Sequence, residues 1–187
     1  IPSRRQIENT GGYVNNWTTK EFSKYVKSQS NIILQRDHAG PHQGLVPCFD
    51  GLGSLSDDIR NCFDLLHIDP WRISKSVVEA AKHTIGLIQY CEIVSGRVYY
   101  EIGTEEAIFK YSPAELNEFV SLVKRDIGDE VFAKVAFIVV QSGTNVKANT
   151  NLGKFNQQRC IEMVEVCKSY WKLSKEHNSD YLSRDEI

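Results

Sequence analysis

Five short stretches of this chain carry ionisable or strongly polar side chains where an apolar run has just ended. They are Arg36-Asp37-His38-Ala39-Gly40-Pro41-His42, His67-Ile68-Asp69-Pro70, Glu101-Ile102-Gly103-Thr104-Glu105-Glu106, Gln141-Ser142-Gly143-Thr144-Asn145 and Glu176-His177-Asn178-Ser179-Asp180. Imidazoles and carboxylates brought to one point suit a divalent metal with an acid–base group beside it. Taken singly, each stretch also fits a loop or a helix cap, because Asp, Ser, Thr and Asn cap helices. Their recurrence at five successive run ends is what points to a shared mouth. His83 lies inside a helical pattern and reads as structural, whereas His42 lies in a loop and fits either role.

These stretches need elements to carry them. Asn31–Gln35, Phe63–Ile68, Arg97–Ile102 and Lys134–Val140 are short, apolar and rich in β-branched or aromatic residues, the pattern of buried parallel strands. Trp171–Lys175 is a candidate for a further strand. Between them lie helical patterns with start signals. Thr18-Thr19-Lys20-Glu21 and Ser112-Pro113-Ala114-Glu115 read as capping boxes, the second with Pro at the first helical position. Ser76–Tyr90 and Phe155–Trp171 carry apolar stripes at helical spacing, and Gly128 reads as a helix stop.

Strand–helix alternation implies parallel strands with helices outside. A doubly wound sheet would normally show a Gly-rich phosphate loop after its first strand, and no such motif is present. The expected fold is therefore α/β, a (β/α)8 TIM barrel, with the polar stretches at the C-terminal ends of its strands. A complete barrel typically takes ~250 residues. This chain has 187 and opens Ile1-Pro2-Ser3, with no room for a first strand. The expectation is one domain over residues 1–187, incomplete as a barrel and part of a longer chain.

Composition excludes several classes. The net charge is −2 with mixed signs, which does not suit a nucleic-acid partner. The longest apolar run, Val135–Val140, is far short of a membrane span, and no signal peptide is recognisable. The five cysteines are odd in number and lack C-x-x-C spacing, so disulfides and a zinc knuckle are not expected. The expected compartment is the reducing cytoplasm.

Across nearly its whole length the sequence resembles the D-tagatose-bisphosphate aldolase subunit Z family, related to the class II, metal-dependent aldolases. The resemblance rests on Gly11-Gly12-Tyr13, Asp37-His38-Ala39-Gly40-Pro41, Leu66-His67-Ile68-Asp69, Ile102-Gly103-Thr104-Glu105 and Glu176-His177-Asn178-Ser179-Asp180-Tyr181, with Val140-Gln141-Ser142-Gly143 fitting less closely. It implies that Asp37 is the catalytic acid and that His38 and His177 are metal ligands. It also implies that Glu105 or Glu106 is the acidic residue near the metal, with Glu105 the preferred catalytic partner.

The family's third histidine ligand is expected near Gln141–Asn145, where this chain has none. Glu101, Gln141 or Asn145 would then complete the site, with Glu101 the favoured ligand, although such a set suits harder ions than the zinc the resemblance implies. Asp69 and Asp180 are expected to orient the ligands or bind substrate. Arg36, Gln141 and Ser142 are further substrate contacts. Arg4, Arg5 and Arg72 join Arg36 as candidate phosphate ligands.

The function implied is metal-dependent carbon–carbon cleavage or condensation of a phosphorylated ketose, in which an enediolate must be stabilised. The alternative is a non-catalytic subunit that stabilises a partner aldolase. Sugar phosphate is the expected small-molecule partner, and an oligomer is expected.

Overall fold

The structure is a computed structural model that describes residues 12, 16–29, 31–44, 51–104, 110–144, 146–147, 150–151 and 153–177. Helix α1 (Thr19–Gln29) leads into strand β1 (Gln35–Ala39). Then come α2 (Leu52–Arg60), β2 (Leu65–Ile68), α3 (Val77–Ser95), β3 (Tyr99–Gly103), α4 (Pro113–Phe132) and β4 (Val135–Val140). A small hairpin, β5 (Val146–Lys147) and β6 (Thr150–Asn151), precedes α5 (Gln157–Ser169) and β7 (Leu173–Glu176).

Strands β1, β2, β3, β4 and β7 form one parallel sheet in that order. Each is joined to the next by a helical crossover. Right-handed crossovers between sequential neighbours place the helices on a single side of the sheet. Side chains alternate accordingly. Leu66, Ile68, Tyr100, Ile102, Ile138 and Val140 belong to the helix-side core, with Ala80, Ala81 and Ile88 of α3 and Leu116, Phe119, Val120 and Val123 of α4. Their neighbours Leu65, His67, Tyr99, Glu101, Phe137 and Lys175 take the other face. The architecture is thus α/β, a five-stranded parallel sheet alternating with helices. No helix among the described residues is long and apolar enough to cross a membrane.

Both expected capping boxes form. The Thr18 N–H meets Glu21 Oε2 at 2.8 Å, and the Glu21 N–H returns to Thr18 Oγ1 at 3.3 Å. Ser112 and Glu115 do the same at the head of α4, with Pro113 in the first turn. Gly128 does break the helical path, at φ 79° and ψ 162°, but the chain resumes helically to Phe132. Helix α3 runs five residues past Tyr90, and α2 lacks a sequence signal strong enough to anticipate it.

The first strand lies four residues later than expected. Ile32 and Ile33 look like strand interior yet are 50% and 72% exposed, while polar Arg36, Asp37 and His38 are inside the strand. Apolar content located the run and missed the register, because this strand's interior positions carry polar side chains. The last strand is likewise displaced, from Trp171–Lys175 to Leu173–Glu176, and Trp171 at 94% exposure contributes nothing to a core.

Candidate metal centre

The site begins with a register irregularity between β1 and β2. Arg36 pairs with Leu66 and Ala39 with Ile68, so Asp37 and His38 together stand opposite the single residue His67. That two-against-one count is a β-bulge. It is made by His38, whose φ of 45° is left-handed. A regular strand would send Asp37 and His38 to opposite faces. The bulge delivers both to one side, at a backbone cost of about 1–3 kcal/mol for the strained residue.

One strand over, His67 pairs with Glu101 of β3, and His177 follows directly after β7. Ligand-capable atoms of Asp37, His38, His67 and His177 all lie within 4.8 Å of one another. The three imidazole centroids are 4.9, 5.4 and 4.9 Å apart.

Two buried carboxylates orient two of these rings. Asp69 Oδ2 stands 2.7 Å from His38 Nδ1. It also accepts from Gln43 Nε2 at 2.7 Å, while its Oδ1 takes the Trp71 N–H at 3.1 Å. Glu101 Oε1 stands 2.8 Å from His177 Nε2. Its other oxygen receives Gln35 Nε2 at 2.7 Å and Lys175 Nζ at 2.6 Å. An ionised carboxylate only accepts, so the proton sits on His38 Nδ1 and on His177 Nε2. The lone pairs of His38 Nε2 and His177 Nδ1 are thereby left for a cation.

Burial alone would raise the Glu101 carboxyl, but His177, His67 and Lys175 outweigh it and hold it at about 2. Burial also opposes ionisation of Asp69, and the His38 hydrogen bond and the neighbouring imidazoles hold it below the ordinary range. Asp37 follows the same balance, burial against His67, His38 and His177, and ends well below the usual carboxylate range. Its oxygens lie 3.5 Å from His67 Nδ1 and 3.7 Å from His38 Nε2.

Three imidazoles on a common point, with a carboxylate beside them, fit zinc and similar borderline divalent ions. Backing of two ring nitrogens by buried carboxylates is the arrangement metal-binding histidines use. The His and Asp cluster can therefore hold a metal ion. Two glycines let the surrounding backbone close up. A Cβ at Gly40 would stand 2.5 Å from the Asp69 carbonyl oxygen, and one at Gly103 would stand 2.4 Å from the Val139 nitrogen.

The other expected site residues are distributed as follows. Glu101 lies outside the four-residue group and faces His177 and Lys175. Arg36 is turned to the helix side. Its Nε and Nη2 meet Asp58 of α2 at 2.7 and 2.5 Å, and it is 2% exposed, so it is not placed to meet a ligand in the mouth. Arg72 is exposed and donates to Gln43 Oε1 at 2.9 Å. Gln141 Oε1 accepts the Tyr111 N–H at 2.8 Å and Arg159 Nη2 at 3.1 Å, which ties the end of β4 to α5 and away from the cluster.

The Ser142 N–H donates to Glu176 Oε2 at 2.8 Å, and its buried hydroxyl has no partner among the described residues. Thr144 Oγ1 reaches both Glu176 Oε1 at 2.8 Å and the His177 carbonyl at 3.1 Å. The loop after β4 is thus pinned to the segment that carries His177. Arg4, Arg5, Glu105, Glu106, Asn145 and Asp180 lie outside the described residues.

The third imidazole is therefore His67 of β2, not a residue of the loop after β4. The sequence carried a signal for it. In Leu65-Leu66-His67-Ile68, a lone imidazole interrupts an otherwise apolar strand at the position that pairs with Glu101.

The Arg36–Asp58 pair gives a first expected result. Arg36→Ala would leave Asp58, 1% exposed, as a buried charge without its partner. Stability should fall by about 3–5 kcal/mol, read as a shift of the denaturant midpoint. A loss below 1 kcal/mol would show that the pair is not the anchor described.

No protein-family model matches the sequence, and no curated protein sequence matches it significantly. Among solved structures, the chain is similar to the crystal structure of "a probable tagatose 6 phosphate kinase" from Sinorhizobium meliloti 1021. The TM-score is 0.74 at 20% identity, covering 98% of this chain and 52% of the other. The shared property is the fold, and the chain spans about half the length of that protein.

Proposed function

We propose that the cluster holds a divalent metal ion, zinc in the first instance, and that the protein is a metal-dependent, aldolase-like enzyme acting on a phosphorylated ketose. The observation that carries this reading is the meeting of three imidazoles with Asp37 at one end of the sheet. When bound there, a divalent cation supplies Lewis-acid withdrawal of charge from substrate oxygens.

The chain's own residues do the rest. His38, His67 and His177 hold the cation, and Asp69 and Glu101 hold two of those rings in orientation. Asp37, kept ionised, accepts a proton from the substrate hydroxyl in cleavage and returns it in condensation. Asp37 therefore enters a cleavage cycle as a base and becomes the expected acid only in the reverse direction. The solved neighbour is named for a tagatose phosphate, which supports a phosphorylated sugar as substrate. Its name also says kinase, but this sequence has no phosphate-binding glycine loop, so only the sugar class carries over.

We also infer that the sheet is an arc of the expected (β/α)8 ring. Sequential strand order, helices on one side and a polar cluster at one end all fit that ring. The inner face at the strand starts is apolar and open, with Tyr99 54% and Leu173 63% exposed. Further strands of the ring would cover it. A partner aldolase subunit would cover it equally, which keeps the reading as a non-catalytic stabilising subunit in view.

The test is catalytic. Protein depleted of metal and then reconstituted with zinc should release triose phosphate from a ketose 1,6-bisphosphate. A chelator should abolish that release. Protein that binds one zinc per chain yet cleaves no ketose phosphate would overturn the enzymatic reading and leave the subunit reading.

A further inference from the structure

Glu101 is the most completely enclosed acid of the inner face. It is 0% exposed, and both of its oxygens are engaged. Oε1 faces His177 Nε2 at 2.8 Å and stands 3.7 Å from His67 Nδ1, so the carboxylate borders the metal cluster without belonging to it. Carboxylates are good zinc ligands, and a buried carboxylate beside a cation would ordinarily join it. Glu101 is instead engaged by side chains of the protein itself.

The restraint is on the opposite oxygen. Lys175 Nζ lies 2.6 Å from Oε2, Gln35 Nε2 lies 2.7 Å from it, and Lys175 is braced by Gln35 Oε1 at 3.3 Å. The pleat explains the placement. Lys175 and His177 are two residues apart across the end of β7, so both reach the same side of the sheet, the ammonium one step below the imidazole. The ammonium gives Glu101 a counter-charge of its own.

Resting on the reading of the cluster as a metal centre, we propose that Lys175 is a positioning residue that keeps Glu101 off the ion. Its charge confines the carboxylate to orienting His177 and keeps the site a three-imidazole centre. Removing that charge leaves a buried carboxylate without its counter-charge, and the nearest replacement is the cation itself. Glu101 then changes role, from partner of a ligand to ligand. The site gains a hard oxygen donor, and its preference moves from zinc toward manganese.

Cobalt(II) is the probe, because its visible absorption reports coordination number independently of turnover. Wild type should give the intense bands of a four-coordinate ion. Lys175→Met should give weaker bands of higher coordination, with the ratio of zinc to manganese affinity changed about 10–100-fold, the range for groups that support metal ligands. Lys175→Arg, which keeps the charge, should retain the wild-type spectrum. Lys175→Met combined with Glu101→Gln should return the intense bands.

A Lys175→Met spectrum identical to wild type would overturn the inference. A changed spectrum that persists in the double variant would overturn it too, because Glu101 would not be the new ligand. If Lys175→Met does not fold, Lys175→Gln carries the same expectation. Wild-type protein that takes up no cobalt would instead sink the metal centre itself.

Discussion

His67→Ala should weaken zinc binding about 10²–10³-fold, roughly a quarter share of the ~10–16 kcal/mol apparent binding energy of a four-ligand zinc site. The result matters because His67 is the residue that turns a loose pair into a site. Without it, the two carboxylate-backed rings, His38 and His177, remain 5.4 Å apart with no third nitrogen between them. The comparison variant is Gln141→Ala, at the position where a β4-loop ligand was expected. Its side chain serves Tyr111 and Arg159 instead, so zinc affinity should hold within a few-fold. Competition against a chromophoric chelator reads both values. Equal losses in the two variants, or none in His67→Ala, would remove His67 from the centre.

Asp37→Asn should lower turnover of the zinc-loaded protein about 10²–10⁴-fold, the usual contribution of a positioned acid–base group. Asparagine keeps the shape and can still accept one hydrogen bond, but it cannot carry a proton between substrate atoms. Zinc content should stay near one per chain, since the three imidazoles remain. The split between metal content and turnover is the informative quantity. Turnover within a few-fold of wild type would remove Asp37 from the chemistry and favour the non-catalytic subunit. A parallel loss of zinc would recast Asp37 as a ligand.

The helices were largely legible in the sequence because their start signals are local. Thr18 and Glu21, or Ser112 and Glu115, satisfy each other three residues apart, and nothing distant is needed. Strand register was less legible because it depends on partners. The apolar segment Ile32-Ile33-Leu34 outweighed the polar residues that form β1, and only pairing with β2 shows that the strand starts at Gln35. The bulge was visible only as a requirement. Asp37 and His38 can share a mouth only where a strand ends or bends; Gly40-Pro41 offers such a bend, and the structure makes it earlier, at His38.

The reassignment of Arg36 has the same origin. Its positive charge made it a candidate phosphate ligand, whereas the pleat sends it to the helix side, where Asp58 waits 22 residues away. Glu101 and His67 could be sorted only by seeing which nitrogen each carboxylate faces.

Because His38 bulges, Asp37 and His38 are joined by a single peptide unit and still point the same way. The spacing between this carboxylate and this imidazole is therefore written into covalent bonds. It does not wait on the closing of a loop or the docking of a domain. The walls of the mouth can change while this pair keeps its dimensions. Deleting one residue from β1 would have the opposite effect, sparing the sheet and separating the carboxylate from the ring.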